Sequence, residues 1–152
     1  MKLRTCLVGA QKTGKSHFVS KLKKYPFHQY HETIGVDFCS YRTGTHEINI
    51  WDTSGSERFQ SITTNFVHNV NIVLCLYKDK ASAKWIQTFL NSHQYPHLKQ
   101  IIFIYHDKEY PLDTDIENYS IKCNFTEDSV LECIDFIIKV NQKDKDRSYC
   151  FW

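Results

Sequence analysis

The sequence predicts an α/β domain with a mostly parallel sheet and helices on both faces. Apolar, strand-like segments alternate along the chain with segments of helical periodicity, an arrangement typical of this class. A glycine-rich segment, GAQKTGKS at residues 9–16, lies between the first of these strands and the first helix. The length of 152 residues fits one such domain.

The strands follow from apolar patterns in chain order. The first, LRTCLVG, leads into the glycine-rich loop and the helix KSHFVSKLKK. VDFCSYRT and THEINIWD alternate in polarity around Thr43-Gly44, which predicts an antiparallel hairpin at one edge of a six-stranded sheet. NIVLCLY and KQIIFIY are continuous apolar runs, as expected of central strands covered on both faces.

Two further helices have clear apolar stripes. ASAKWIQTFLNS places Ala83, Ile86, Phe89 and Leu90 on one face. TEDSVLECIDFIIKV begins at a Thr126 cap with acidic residues in its first turn. Periodicity is lost from about Asn141, and we expect the chain to fray there. The prediction is therefore a domain at 1–142 and a short flexible tail at 143–152.

Composition and charge exclude several other classes. Nineteen basic residues against 17 acidic ones give a net charge of +2, and neither this balance nor any basic run indicates nucleic-acid binding. No apolar stretch approaches the roughly 18 residues of a membrane span. The six cysteines form no CxxC pair, and several lie in apolar runs, so we expect reduced structural thiols in an intracellular protein. Pro96 between His93 and His97 disfavours a zinc site.

The glycine-rich segment has the full P-loop pattern, Gly9-x4-Gly14-Lys15-Ser16. Its backbone N–H groups can surround a β-phosphate, Lys15 can neutralise the β- and γ-oxygens, and Ser16 can bind Mg²⁺. The helix that follows directs its positive end at the anion. The segment's expected nucleotide-binding residues are Gly9, Lys12, Thr13, Gly14, Lys15, Ser16 and His17.

Two further motifs complete a phosphate site. WDTSGSERF at residues 51–59 follows an apolar strand, so Asp52 can hold the Mg²⁺ shell and Gly55 can donate its N–H to a γ-phosphate. TIGVDF at residues 33–38 offers Thr33 as a further Mg²⁺ ligand. With these motifs the sequence resembles the Ras-like small GTPases, and most closely the Rab branch, from residue 3 to about residue 140.

The resemblance implies GTP and GDP as ligands, Mg²⁺ held by Ser16, Thr33 and Asp52, and a role in vesicle trafficking. It matches Phe27 to the aromatic residue that packs on the base, although a plain core phenylalanine is an open alternative. It also matches Ser120-Ile121-Lys122 to the family's SAK loop, which contacts the base.

The guanine-reading motif NKxD departs from the family pattern. His106, Asp107 and Glu109 stand in the register of its Asn, Lys and Asp. A carboxylate can accept from the two guanine N–H donors, and either Glu109 or Asp107 offers one. The thirteen residues from Asp107 to Tyr119 contain Pro111 and clustered acids, so we expect a loop where the family has a helix.

The expected catalytic residues are Ser56, Gln11 and Lys15, and the first two indicate slow hydrolysis. The family aligns the attacking water with a glutamine directly after the switch II glycine, and here that position is Ser56. Gln11 is bulky where family enzymes have small residues. The resemblance therefore implies a GTPase of weak intrinsic activity. A catalytically silent binding module of the same fold is the alternative, and an ATP-using P-loop enzyme is disfavoured by the intact switches.

Partners are expected at the two switch regions. Switch I at Thr33–Phe38 and switch II at Asp52–Thr63 would bind effectors, exchange factors or GTPase-activating proteins, over a surface that includes Ile34, Phe38, Trp51 and Phe59. Trp51 and Phe59 could instead be core residues. The ending SYCFW has Tyr149 where a prenylation box needs cysteine, so we expect a cytoplasmic protein that reaches membranes through partners. A longer natural tail is the open alternative.

Overall fold

The structure, a computed structural model, describes residues 1–23, 36–56 and 59–148. Its strands and helices, in chain order, are β1 (Lys2–Val8), α1 (Lys15–Lys23), β2 (Val36–Thr43), β3 (His46–Thr53), α2 (Gln60–His68), β4 (Ile72–Tyr77), α3 (Lys80–Ser92), β5 (Gln100–Tyr105), β6 (Glu117–Lys122) and α4 (Glu127–Ser148).

Within the described residues, six strands form one sheet in the order β2-β3-β1-β4-β5-β6. β2 is antiparallel to β3, and the other neighbouring pairs are parallel. The predicted sheet and its antiparallel edge hairpin are therefore confirmed. Parallel order places the carboxyl ends of β1, β3, β4, β5 and β6 at one edge of the sheet, where ligands of open α/β folds bind.

The core lies on both faces of the sheet. On one face Phe18 of α1 and Ile134 of α4 pack with Leu74 of β4. On the other face Phe89 of α3 packs with Val73 of β4. Every residue of β4 is buried, as the continuous apolar run predicted.

Helix ends are fixed by side-chain caps. Asp79 and Ser82 form a capping box at the start of α3, in which the Ser82 N–H donates to Asp79 Oδ1 at 2.8 Å. The predicted Thr126 cap of α4 is confirmed, because Thr126 Oγ1 accepts from the Ser129 N–H at 3.2 Å. The expectation of fraying from Asn141 is wrong, since α4 continues as helix to Ser148. One reason is that Asn141 Nδ2 donates to Ile137 O and to Gln100 Oε1, which ties this turn to the sheet.

The segment between β5 and β6 is a loop. Residues 106–116, all of them described, contain no helix, as the short spacing predicted. The loop is instead fastened to α3 by Gln87, whose Nε2 donates to Asp113 O at 2.9 Å and whose Oε1 accepts from Asp113 N at 2.7 Å. The Tyr110 N–H also donates to Tyr77 Oη at 3.0 Å.

The cysteines of the described residues are structural. Cys6, Cys39, Cys75, Cys123 and Cys133 are buried free thiols. Among the helices in the described parts of the chain, none is long and apolar enough to cross a membrane.

Candidate nucleotide-binding site

The P-loop connects β1 to α1 at the carboxyl edge of the sheet, as the sequence predicted. Gly14 has a φ of +99°, which favours glycine, and its carbonyl accepts the first helical hydrogen bond from Phe18 N at 2.8 Å. Thr13 Oγ1 closes the turn by donating to Ala10 O at 2.8 Å. The first amides of α1 therefore open onto the loop, where an anion can accept from them.

Lys15 lies at the centre of this loop. Its side chain is buried, and Nζ donates to Gly9 O at 2.7 Å and to Ala10 O at 2.8 Å. Burial lowers the pKa of Lys15 to about 8, against the attraction of Asp52, which acts to raise it. The loop thus holds a desolvated cation whose charge a bound phosphate would compensate.

Ser16 and Asp52 form a hard-oxygen pair beside Lys15. Ser16 Oγ donates to Asp52 Oδ2 at 2.8 Å. Asp52 is buried near the end of β3, and its Oδ1 atom has no hydrogen-bond partner. Burial raises the pKa of Asp52, and the hydrogen bond from Ser16 and then the Lys15 charge oppose that rise. A buried carboxylate oxygen without a partner, next to a hydroxyl, fits a Mg²⁺ ion.

The start of switch II lies against the P-loop. A Cβ atom on Gly55 would stand 2.4 Å from Gln11 N and 2.7 Å from Gly9 O, so no side chain fits at this position. The structure therefore brings Gln11 next to the Gly55–Ser56 segment. The Ser56 N–H donates to Ser54 Oγ at 3.1 Å, which holds this turn at the edge of the loop.

A cavity of about 350 Å³ adjoins the P-loop on the side of β4, β5 and β6. Its lining residues are Lys12, Thr13, Gly14, His17, Lys78, His106 and Phe125. Lys78, His106 and Phe125 follow three successive strands of the sheet edge. Because the cavity begins where the phosphate loop ends, it can hold the remainder of a nucleotide whose phosphates lie on the loop.

Several predicted base-binding residues do not line this cavity. Asp107 and Glu109 are exposed and are absent from the described wall. Ser120, Ile121 and Lys122 lie within β6, where they pair with Phe103, Ile104 and Tyr105 of β5. Strand pairing thus holds the SIK segment in the sheet, and the loop that reaches the cavity comes after it. The expected Phe27 and Thr33 lie outside the described residues.

Sequence reasoning missed Phe125 and Lys78. Lys78 had a readable signal, since it directly follows the buried strand β4 at the carboxyl edge of the sheet. Phe125 precedes the Thr126 cap, where an apolar residue usually packs on its own helix. Its contact with the P-loop depends on the loop's tertiary path, which the pattern does not contain.

A hydrophobic surface lies on the hairpin side of the site. Phe38 is 48% exposed and contacts Trp51, with ring centroids 5.1 Å apart. Trp51 is partly buried, lies 6.3 Å from the Phe66 ring and carries Arg4 over its own ring at 5.6 Å. Phe59 is also partly buried, whereas the expected Ile34 lies outside the described residues.

The sheet order, the loop and the Lys15–Ser16–Asp52 group define a P-loop nucleotide-binding protein. The family described as Roc, the Ras of Complex domain of DAPkinase, matches residues 4–109. The chain therefore belongs to the Ras superfamily of small GTPases.

Two relatives are similar in sequence to part of this chain, and one solved structure shares its fold. The Ras-related protein Rab-1 of Theileria annulata and that of Theileria parva are each 30% identical over 93 residues. The match covers 53% of this chain and 42% of each relative, so it spans less than half of their length. The Arl6 BBS3 small GTPase of Trypanosoma brucei, solved with the nucleotide analogue GppNp, matches with a TM-score of 0.74 and 12% identity. That match covers 94% of this chain and 99% of the other, and at this identity it supports the fold alone.

Proposed function

We propose that the protein is a Rab-like switch that binds GTP and GDP together with Mg²⁺. The observation that carries the proposal is the partly buried Ser16–Asp52 pair beside Lys15, in which the Oδ1 atom of Asp52 has no hydrogen-bond partner. Lys15 would leave the carbonyls of Gly9 and Ala10 to neutralise the β- and γ-phosphates. Ser16 and Asp52 would hold Mg²⁺, and Thr33 is the further ligand that the family resemblance implies.

Hydrolysis is proposed to be slow. The bound cation would neutralise charge on the phosphate oxygens, and the remaining task of the protein is to align water with the γ-phosphate. Ser56 follows Gly55 at the position of the aligning residue, and its hydroxyl is too short to reach both the water and the phosphate. Gln11 adds bulk next to the same segment. These two positions also favour the second candidate, a permanently loaded interaction module.

The partner surface is proposed to lie on the two switch regions. Phe38 with Trp51 supports this, because a phenylalanine about half exposed is the kind of contact that a protein partner covers. Effectors, exchange factors or GTPase-activating proteins would bind there. We propose a role in vesicle trafficking on the resemblance to Rab-1, with a cytoplasmic location and recruitment to membranes through such partners.

Calorimetric titration of GDP and of a non-hydrolysable GTP analogue, with and without Mg²⁺, tests nucleotide binding. Lys15→Ala should weaken binding of both, and Ser16→Asn should weaken the triphosphate more than the diphosphate because it removes a Mg²⁺ ligand. Lys139→Ala is the matched control, since Lys139 is an exposed lysine on α4 outside the site. Circular dichroism would verify that each variant is folded. Equal affinity of wild type and Lys15→Ala would contradict the proposal.

A further inference from the structure

Three rings from three separate segments stack at the edge of the cavity. The Phe125 ring lies 5.4 Å from the His17 ring with an interplanar angle of 18°. The His106 ring lies at the same distance from the Phe125 ring and at the same angle. Offset stacking at such separations is favourable between aromatic rings. We call these three side chains the His17–Phe125–His106 stack.

The position of Phe125 is fixed by the surrounding backbone. Phe125 has a φ of +60°, which is uncommon for a residue other than glycine, asparagine or aspartate. The neighbouring turn is held by Asn124 Oδ1, which accepts from Thr126 N and from Thr126 Oγ1. His106 is anchored as well, because its Nδ1 atom is 3.2 Å from Cys123 O. The stack is therefore a built part of the cavity wall.

The polar groups around the cavity do not match guanine. Its described wall carries the cations Lys12 and Lys78 but no carboxylate. Asp107 and Glu109 are exposed and do not line the cavity. Lys108 of the same loop lies over the Tyr110 ring at 5.5 Å. The described wall therefore offers no carboxylate to the N–H donors of guanine.

We infer that the cavity receives the base of a purine nucleotide by aromatic contact with the His17–Phe125–His106 stack, and that guanine and adenine are accepted almost equally. The inference rests on the proposed nucleotide binding at the P-loop. A site rejects a base strongly only when its buried polar groups would be left unpaired by the wrong one. Aromatic contact is tolerant of base identity, because every base has a π-face.

The affinity ratio of GDP to ADP, measured by calorimetry with Mg²⁺ on the full chain, tests the inference. We expect a ratio within about tenfold, in keeping with a pocket that lacks a paired acceptor for guanine. Phe125→Ala should weaken both nucleotides by a similar factor of about ten, the scale of one lost base–aromatic contact. Phe125→Tyr should restore both affinities. Phe136→Ala is the matched control. Phe136 of α4 packs on Tyr119 of β6 and does not line the cavity.

A double variant, Asp107→Asn with Glu109→Gln, distinguishes recognition of the base by these carboxylates from aromatic contact with the His17–Phe125–His106 stack. We expect the GDP-to-ADP ratio to stay unchanged in this variant. A wild-type ratio above about a hundred would overturn the inference, and so would a loss of GDP affinity alone in the double variant. Tighter binding of both nucleotides by Phe125→Ala would also overturn it, because Phe125 would then occupy the base position itself. Failure to bind either nucleotide would overturn the proposed function together with this inference.

Discussion

Replacing Gly14 by alanine tests the packing between the P-loop and Phe125. A Cβ atom at Gly14 would stand 2.4 Å from Phe125 Cζ, and the φ of +99° is unfavourable for alanine. The backbone strain contributes about 1–3 kcal/mol. The overlap adds about 1–3 kcal/mol, because the Phe125 ring contacts both the His17 ring and the His106 ring and cannot move without disturbing those contacts. We therefore expect Gly14→Ala to lower the free energy of unfolding by about 2–6 kcal/mol.

A double-mutant cycle separates these two contributions. In a Phe125→Ala background the overlap is removed, so Gly14→Ala should retain only the backbone strain. The coupling between the two positions should therefore be about 1–3 kcal/mol, the size of the overlap. Gly44→Ala is the matched control. Gly44 has a φ of +55° and no atom within 4 Å of its would-be Cβ, so this change should cost about 1–2 kcal/mol of strain and show no coupling to Phe125.

Urea unfolding without nucleotide is the assay, so that lost ligand binding does not enter the comparison. Wild type, the three single variants and the two double variants would be measured by the same fluorescence transition. A coupling energy near zero, or a Gly14→Ala cost no larger than that of Gly44→Ala, would refute the contact between Phe125 and the P-loop.

Two other predictions concern single carboxylates. Asp79→Ala should lower the free energy of unfolding by about 1 kcal/mol at neutral pH, because it removes the α3 cap. The hydrogen bonds from Ser82 lower the pKa of Asp79 in the folded protein. The stabilisation by the cap is therefore present above the ordinary pKa of 3.8 and is lost as the pH falls through the folded-state pKa. Urea titrations in which the effect of Asp79→Ala stays unchanged down to strongly acid pH would argue against the cap. Asp52→Asn should abolish the effect of Mg²⁺ on GDP affinity in calorimetry while leaving the unfolding free energy of the ligand-free protein near that of wild type, since the change relieves a buried charge. An undiminished Mg²⁺ effect in that variant would exclude Asp52 as a ligand.

The six-stranded sheet and its edge hairpin were predictable because each strand and helix has a local signature. The apolar run of β4 and the hairpin around Gly44 required no knowledge of tertiary contacts. The Thr126 cap was readable for the same reason. The extension of α4 past Asn141 was not, because it depends on a hydrogen bond to Gln100 in a distant strand.

The phosphate side of the site was predictable, and the base side was not. The P-loop motif fixes spacing within one segment, so Lys15 and Ser16 lie where the pattern indicated. Asp52 was placed by its position at the end of a strand. The base side is assembled from the loops that follow β4, β5 and β6. A short motif such as SIK does not reveal whether its residues belong to the strand or to the loop after it. Phe125 reaches the cavity only because the chain turns after β6.

Single-turnover hydrolysis of protein-bound GTP tests the central claim, that this small GTPase binds nucleotide at the P-loop but aligns water poorly. We predict a slow wild-type rate and an increase of roughly 10–100-fold, about 1.4–2.8 kcal/mol of barrier, in the Ser56→Gln, Gln11→Gly double variant. Ser40→Gln is the matched control, because Ser40 is an exposed residue of β2, and it should leave the rate unchanged. A wild-type protein that hydrolyses GTP as fast as the double variant would contradict the roles assigned to Ser56 and Gln11.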